Sequence, residues 1–183
     1  MKRTKKYNFP VLALDPSLTA FGYAIIDGYN VLESGCIKTK PSNKVLKIRK
    51  GDDQIRRIAE ILNVFYTLFE QYPIKYIVSE QPHGSQSASA ATSLGMMLGI
   101  VQTISVFTGI CVEWYTELES KRCILYKNEA TKSEMIEAIR KKPYKNWYRG
   151  VKGKKAINEA VADAIAVHYV ASKNSFVLKT FQK

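Results

Sequence analysis

Residues 11–27 read VLALDPSLTAFGYAIID, and the fold follows from how that stretch divides. With Pro10 in front, residues 10–15 make a short apolar run that ends in Asp15, and residues 21–27 (FGYAIID) make a second. Between them PSLTA supplies turn residues, Asp27-Gly28 marks the next turn, and 31–38 (VLESGCIK) predicts a third strand, giving an antiparallel opening. Downstream the period changes. Residues 51–71 open on Gly51, Asp52 and Asp53 and set Ile55, Ile58, Ile61, Leu62, Phe65, Leu68 and Phe69 at helical spacing before Pro73, so an amphipathic helix is expected. KYIVSE at 75–80 fits a buried parallel strand reached by that helix as a right-handed crossover.

From Ser85 to about Phe107 the chain turns to Ala and Ser and then to apolar residues, which predicts a long buried helix. Gly95 and Gly99, four apart in that helix, would let another backbone come close. ICVEWY at 110–115 reads as a strand, and 128–142 and 154–173 read as helices. The expected order is βββ-α-β-α-β-α-α. That is an α/β domain with a mixed five-stranded sheet flanked by helices, taken as one unit over 1–183 because no repeat, low-complexity tract or linker divides it.

An apolar content of 46% over 183 residues supports a buried core and excludes global disorder. The N-terminus lacks the apolar core of a signal peptide, so a soluble protein with no membrane role is expected, in a bacterial or phage-infected cytoplasm, with an organelle left open. Cys36, Cys111 and Cys123 match neither a disulfide framework nor a zinc site, and read as reduced thiols.

The net charge of +12 predicts attraction to a polyanion. Residues 38–50 (KTKPSNKVLKIRK) hold six basic and no acidic side chains; residues 141–155 (KKPYKNWYRGVKGKK) hold seven and none. In the second run Lys141, Lys142, Lys145, Arg149 and Lys152 would meet phosphates, while Tyr144, Trp147 and Tyr148 offer rings for base stacking. The plainer alternative for either run is a solvated loop.

Only 16 carboxylates are present, and a few stand in improbable places. Asp15 and Glu80 each end an apolar strand. Asp163 interrupts AVADAIAVHYV, and Glu159 precedes it by one helical turn on the same face. Gathered together, such acids repel by roughly 4 kcal/mol per pair at about 4 Å and an effective dielectric near 20. A divalent cation removes that cost, and two of them about 4 Å apart suit phosphodiester hydrolysis. The alternative is that the acids are separate capping or salt-bridged groups.

Taken together, four segments resemble the RuvC-type Holliday junction resolvases of the ribonuclease H-like superfamily. LALDPSLTAFGYAIID is similar to that family's first-strand motif, VSEQP to its second, TSLGMMLGIVQ to its L-G-x-x-x-G helix near the dimer interface, and VADAIAVHYV to its last-helix motif. The resemblance implies a homodimeric, structure-selective endonuclease cutting four-way DNA junctions by paired symmetric nicks. It implies that Asp15, Glu80 and Asp163 hold two Mg²⁺ ions, or Mn²⁺. The family's fourth ligand, Asp or His, stands three residues before the last Asp, where this chain has Ala160; Glu159, four before it, is the expected substitute. Lys121 and Lys132 resemble in spacing a basic pair close to the family's active site, although a surface lysine is the plainer reading of each. After Glu-Gln the family carries an aromatic wedge, whereas here Pro82 and His83 follow. His83 would stack on a base or stand in solvent, and His168 reads as a packed histidine.

Other classes compete. An actin-like sugar kinase or ATPase shares the opening hairpins but needs a second such domain, which 183 residues do not supply. A broader branched-DNA or flap endonuclease, or a non-catalytic junction-binding protein, would share the fold. Buried carboxylates without a cation would burden the last of these.

Overall fold

Strand β1 (Val11–Asp15) lies at the middle of a five-stranded sheet of order β3-β2-β1-β4-β5. It pairs antiparallel with β2 (Ala20–Asp27), which pairs antiparallel with β3 (Asn30–Lys38). On its other side it runs parallel to β4 (Tyr76–Gln81), and β4 runs parallel to β5 (Val112–Thr116). The computed structural model describes residues 9–82, 84, 87–147 and 155–181. In this sheet β1, β3, β4 and β5 all point the same way, so Asp15, Lys38, Glu80 and Thr116 emerge at one edge. That edge, outside the carboxyl ends of parallel strands, is where α/β sheets place ligands.

Side-chain alternation divides the core in two. Leu12 and Leu14 of β1 pack with Phe21, Tyr23 and Ile25 of β2 beneath α1 (Lys50–Gln71) and α2 (Ala88–Thr108). Val11 and Ala13 face the other way, with Ala24, Ile26, Tyr76 and Val78, and meet Val161, Ile165 and Val170 of α5 (Lys155–Asn174). The same period carries Asp15, two residues beyond Ala13, and Glu80, two beyond Val78, onto the α5 side. Gly22 of β2 shares that face. A Cβ there would stand 2.1 Å from the Ala160 carbonyl oxygen, so only glycine lets α5 settle this close to the sheet.

Three features depart from the expected pattern. First, α3 (Glu117–Leu125) and α6 (Phe176–Thr180) are additional helices, and α4 (Lys132–Arg140) begins four residues later than the expected start at 128. Thr116 and Thr131 form capping boxes with Glu119 and Glu134, which satisfy the first amides of α3 and α4 and fix where each starts. Second, α2 is not a buried helix. Met97, Ile100, Val101 and Ile104 pack on the sheet, while Gly95, Gly99, Val106 and Phe107 face outward, Phe107 87% exposed. With 21 residues and a mean hydropathy of 1.5, α2 is also long and apolar enough by composition to cross a membrane.

Third, Tyr144 and Trp147 are core residues, 3% and 6% exposed, and not open rings for base stacking. The reason is local pairing: Lys145 N donates to Tyr29 O (2.9 Å) and Val31 N donates to Lys145 O (3.1 Å), which draws 144–147 against the start of β3. Tyr144 then packs edge-on to Tyr29 and shares a 2.7 Å hydrogen bond with His168 Nδ1. His168 is fully buried, and burial pulls its imidazole down to about 3, leaving it a neutral packed residue as expected.

Candidate active site

Between the sheet edge and α5 opens a cavity of about 400 Å³ whose lining includes Asp15, Glu80, Lys121, Lys132, Glu159 and Asp163. Those are all six residues expected from the sequence to do chemistry, from five elements and the whole length of the chain. Asp15 and Glu80 arrive at the ends of the neighbouring parallel strands β1 and β4. Glu159 and Asp163 share one face of α5, four residues apart. Lys132 is the first residue of α4, and Lys121 sits in the middle of α3.

None of the carboxylates of Asp15, Glu80 and Asp163 has a hydrogen bond or ion pair among the described residues, and their ionisation reflects their burial and their mutual repulsion. Burial pushes Asp15 well above the carboxylate range, and the charges of Asp163 and Glu80 push it further. Burial, then Asp163 and Glu117, raise Glu80 to about 8. Burial raises Asp163 to about 6, against the opposing pull of Lys132. Burial pulls the Lys132 ammonium down, but its bond to Glu159 and the charges of Glu159, Asp163 and Asp15 outweigh that and raise it. Glu159 meets Lys132 Nζ at 3.3 Å.

Glu117 also lines the cavity, and the sequence reading missed it. It pairs with Lys121 at 2.7 Å, one helical turn away. The signal was available: Glu117 falls two residues beyond Tyr115, the inward residue of β5, just as Glu80 falls two beyond Val78. Ser120, also in the lining, keeps a buried hydroxyl without a partner among the described residues.

Carboxylate oxygens that have no hydrogen-bond donor beside them and crowd one another suit a hard divalent cation such as Mg²⁺. Among the described residues no three ligating side chains already converge on one point. The cavity stands between them, and Mg²⁺ commonly keeps several waters and takes one or two protein carboxylates together with substrate phosphate. The donor set therefore fits, with room left for the scissile group.

The residues expected to meet DNA fall elsewhere. Lys141 is exposed and pairs with Glu137 at 3.7 Å; Lys142 lies 4.6 Å from the Tyr169 ring centroid; Lys145 pairs through its backbone with the far end of β3. None of these three lines the cavity. His83, Tyr148, Arg149 and Lys152 lie outside the described residues.

Comparison with known proteins agrees with this geometry. Residues 11–170 match the model of the family "Crossover junction endodeoxyribonuclease RuvC". The curated RuvC of Moorella thermoacetica is 25% identical over 136 residues, covering 70% of this chain and 76% of that protein. That of Prochlorococcus marinus is 29% identical over 133 residues, covering 70% and 78%. Among solved structures, Thermus thermophilus RuvC in complex with Holliday junction substrate superposes with a TM-score of 0.69 at 18% identity, over 96% of this chain and 99% of that one. The yeast mitochondrial Holliday junction resolvase superposes with a TM-score of 0.56 at 10% identity, over 93% and 82%. A model spanning both strand-end acids and the last-helix acid, on a sheet that delivers them to one cavity, places the chain in the RuvC family of crossover junction endodeoxyribonucleases.

Proposed function

We propose that this endonuclease resolves four-way DNA junctions by hydrolysing one phosphodiester in each of two symmetry-related strands, with the described cavity as its active site. The observation that carries the reading is the gathering of Asp15, Glu80 and Asp163, each without a partner among the described residues, around one opening at the sheet edge. Asp15, Glu80, Asp163 and Glu159 would hold two divalent cations, Mg²⁺ or Mn²⁺. Bound there, such cations activate water and stabilise the charge on the leaving oxygen.

The chain's own residues do the rest. Lys132 is held by Glu159 and Lys121 by Glu117, so both ammonium groups face the cavity at fixed positions. There they oppose the negative charge that gathers on a phosphate during transfer. The bond broken is that between phosphorus and the 3′ oxygen, leaving a 5′ phosphate and a 3′ hydroxyl that a ligase can rejoin. Lys141, Lys142 and Lys145, with Tyr148, Arg149 and Lys152 of the same run, would hold the more distant DNA arms, and His83 would meet the strand beside Glu80.

Paired nicks need two active sites related by a two-fold axis. The outward face of α2 supports a homodimer: it exposes Val106 and Phe107, and the space over Gly95 and Gly99 is open. The reading places the enzyme in the cytoplasm of a bacterium or of a phage-infected host, with an organelle as the alternative.

The test uses labelled four-way, flap and linear duplex DNA with Mg²⁺ or with chelator. Paired cutting of the four-way substrate, lost in chelator and in Asp15→Asn and Glu80→Gln, is the expected result. Preference for flaps would move the reading to a general branched-DNA nuclease. Undiminished cutting by both variants would reject the site.

A further inference from the structure

Residues 39–49, between β3 and α1, form a segment that the cavity chemistry does not use. Its apolar side chains are turned out to solvent: Val45 is 80% exposed, Leu46 64% and Ile48 45%. Exposed cations surround them, Lys40, Lys47, Arg49 and Lys50. A run of three such aliphatic groups in water, interleaved with like charge, is not what solubility alone selects.

The base of the segment is held firmly. Asp53 accepts from the Ser42 amide (2.9 Å) and hydroxyl and pairs with Arg56 at 2.8 Å, while Arg56 also donates to Lys40 O (2.7 Å). Asn43 accepts from Val45 N through its side chain and from Leu46 N through its carbonyl. Lys47 sits at a φ of 47°, a left-handed conformation that a lysine takes only where its surroundings impose it. Arg57 joins the other side, donating to Thr39 Oγ1, Leu18 O and Thr19 Oγ1, so the segment is tied to the β1–β2 turn that follows Asp15.

Its position completes the case. β3 ends at the same sheet edge as Asp15 and Glu80, and Lys50, the first residue of α1 just beyond the segment, donates to Ser89 Oγ in the first turn of α2. The segment therefore lies along the edge that carries the cavity. We propose that it is a DNA-contacting arm whose Val45, Leu46 and Ile48 seat against unstacked bases at the branch point while Lys40, Lys47, Arg49 and Lys50 hold the adjoining phosphates. The partner is DNA because every charged residue within 39–49 is basic; Arg49 is paired with Asp52 at 2.6 Å, so Lys40 and Lys47 present most of that charge. The preference is for a branch because aliphatic side chains gain contact with a base face only where stacking is interrupted, and duplex resists that opening. This deepens the junction-nuclease reading and rests on it for the choice of substrate.

The experiment places 2-aminopurine at the centre of a four-way junction and in a matched linear duplex, both in chelator so that binding is read without cutting. The wild-type chain is compared with the triple variant Val45→Ser, Leu46→Ser, Ile48→Ser and with the double variant Lys47→Ala, Arg49→Ala. Wild type should raise the junction fluorescence. The triple variant should lose about half of that rise or more, and its junction-over-duplex affinity ratio should fall roughly tenfold. The double variant should weaken both substrates alike and flatten the slope of log affinity against log salt by about 1, because Arg49 is already paired with Asp52.

Unaltered thermal unfolding of the triple variant shows that it folds, as expected for side chains already in solvent. An unchanged rise and an unchanged ratio would overturn the proposal, as would a triple variant whose only defect is its mass in solution, which would make the arm a protein contact. A wild-type chain that leaves junctions uncut in Mg²⁺ would reject the nuclease reading by itself. In that case a fluorescence rise lost in the triple variant would still support the arm.

Discussion

Gly22 decides how near α5 stands to the sheet, and with it whether Asp163 reaches the cavity that Asp15 enters. A methyl group at position 22 would lie 2.1 Å from the Ala160 carbonyl oxygen, a distance no relaxation of a flexible side chain can relieve, because the neighbour is backbone. Gly22→Ala should destabilise the fold by about 1–3 kcal/mol and, by shifting Asp163 outward, lower the single-turnover cleavage rate about 100-fold. Thermal unfolding and a cleavage time course check the two parts separately. The acids themselves make the metal-free protein sensitive to alkali. Glu80 is raised from 4.5 to about 8 and Asp163 from 3.8 to about 6, so the folded state holds protons that the unfolded chain has already released. Stability tied to those protons is lost as pH rises towards about 8. His168 acts in the opposite sense, but only below its ordinary 6.5, because it stays neutral in the fold down to about 3. Between pH 6.5 and about 8 the melting temperature in chelator should therefore fall, and Mg²⁺ should restore it. A flat profile in chelator would mean that the acids are not crowded as described.

Elements were legible where one face alone had to be satisfied. β1 and β4 showed themselves because a lone acid ends each apolar run, and α1 because Ile61, Phe65 and Leu68 recur at helical spacing. Glu117 escaped because it lies among Glu113 and Glu119, where an acid no longer stands out, and because α3 was not foreseen. The capping box that starts α3 was present in the sequence as Thr116-x-x-Glu119. Thr116→Ala should cost about 1 kcal/mol by leaving the first amides of α3 without their acceptor. Since α3 holds Glu117, Ser120 and Lys121 at the cavity, the same change should lower the cleavage rate while junction affinity is kept. Equal loss in affinity and rate would show that α3 serves binding and not the reaction. Tyr144 and Trp147 were misread for a different reason: aromatic rings between lysines look like a nucleic-acid surface until the pairing of Lys145 with Asn30 and Val31, more than a hundred residues away, turns them inward.

At the scale of the whole molecule, the face that α2 turns outward could not be distinguished by sequence from a face turned inward, because apolar residues such as Val106 and Phe107 stand on it too. The structure separates them: Met97 and Val101 are fully buried, while a Cβ at Gly95 or Gly99 would meet nothing within 4 Å. Filling that open face tests the dimer without disturbing the core. Gly95→Leu with Gly99→Leu should leave the far-ultraviolet spectrum intact, reduce the solution mass to that of one chain, and turn paired nicks into single ones on a cruciform plasmid. A variant that still sediments as a dimer and still cuts both strands together would place the two-fold axis elsewhere.

The chain order of the cavity has a consequence for the cell that makes it. Asp15 and Glu80 leave the ribosome early, but Glu159 and Asp163 ride on a helix that is translated only after the entire sheet. Until that helix has docked against β1 and β2, the cavity lacks two of the five acids that line it and has no closed wall. A polypeptide terminated before that helix would carry Asp15 and Glu80 without the cavity, and is expected to be inert towards DNA.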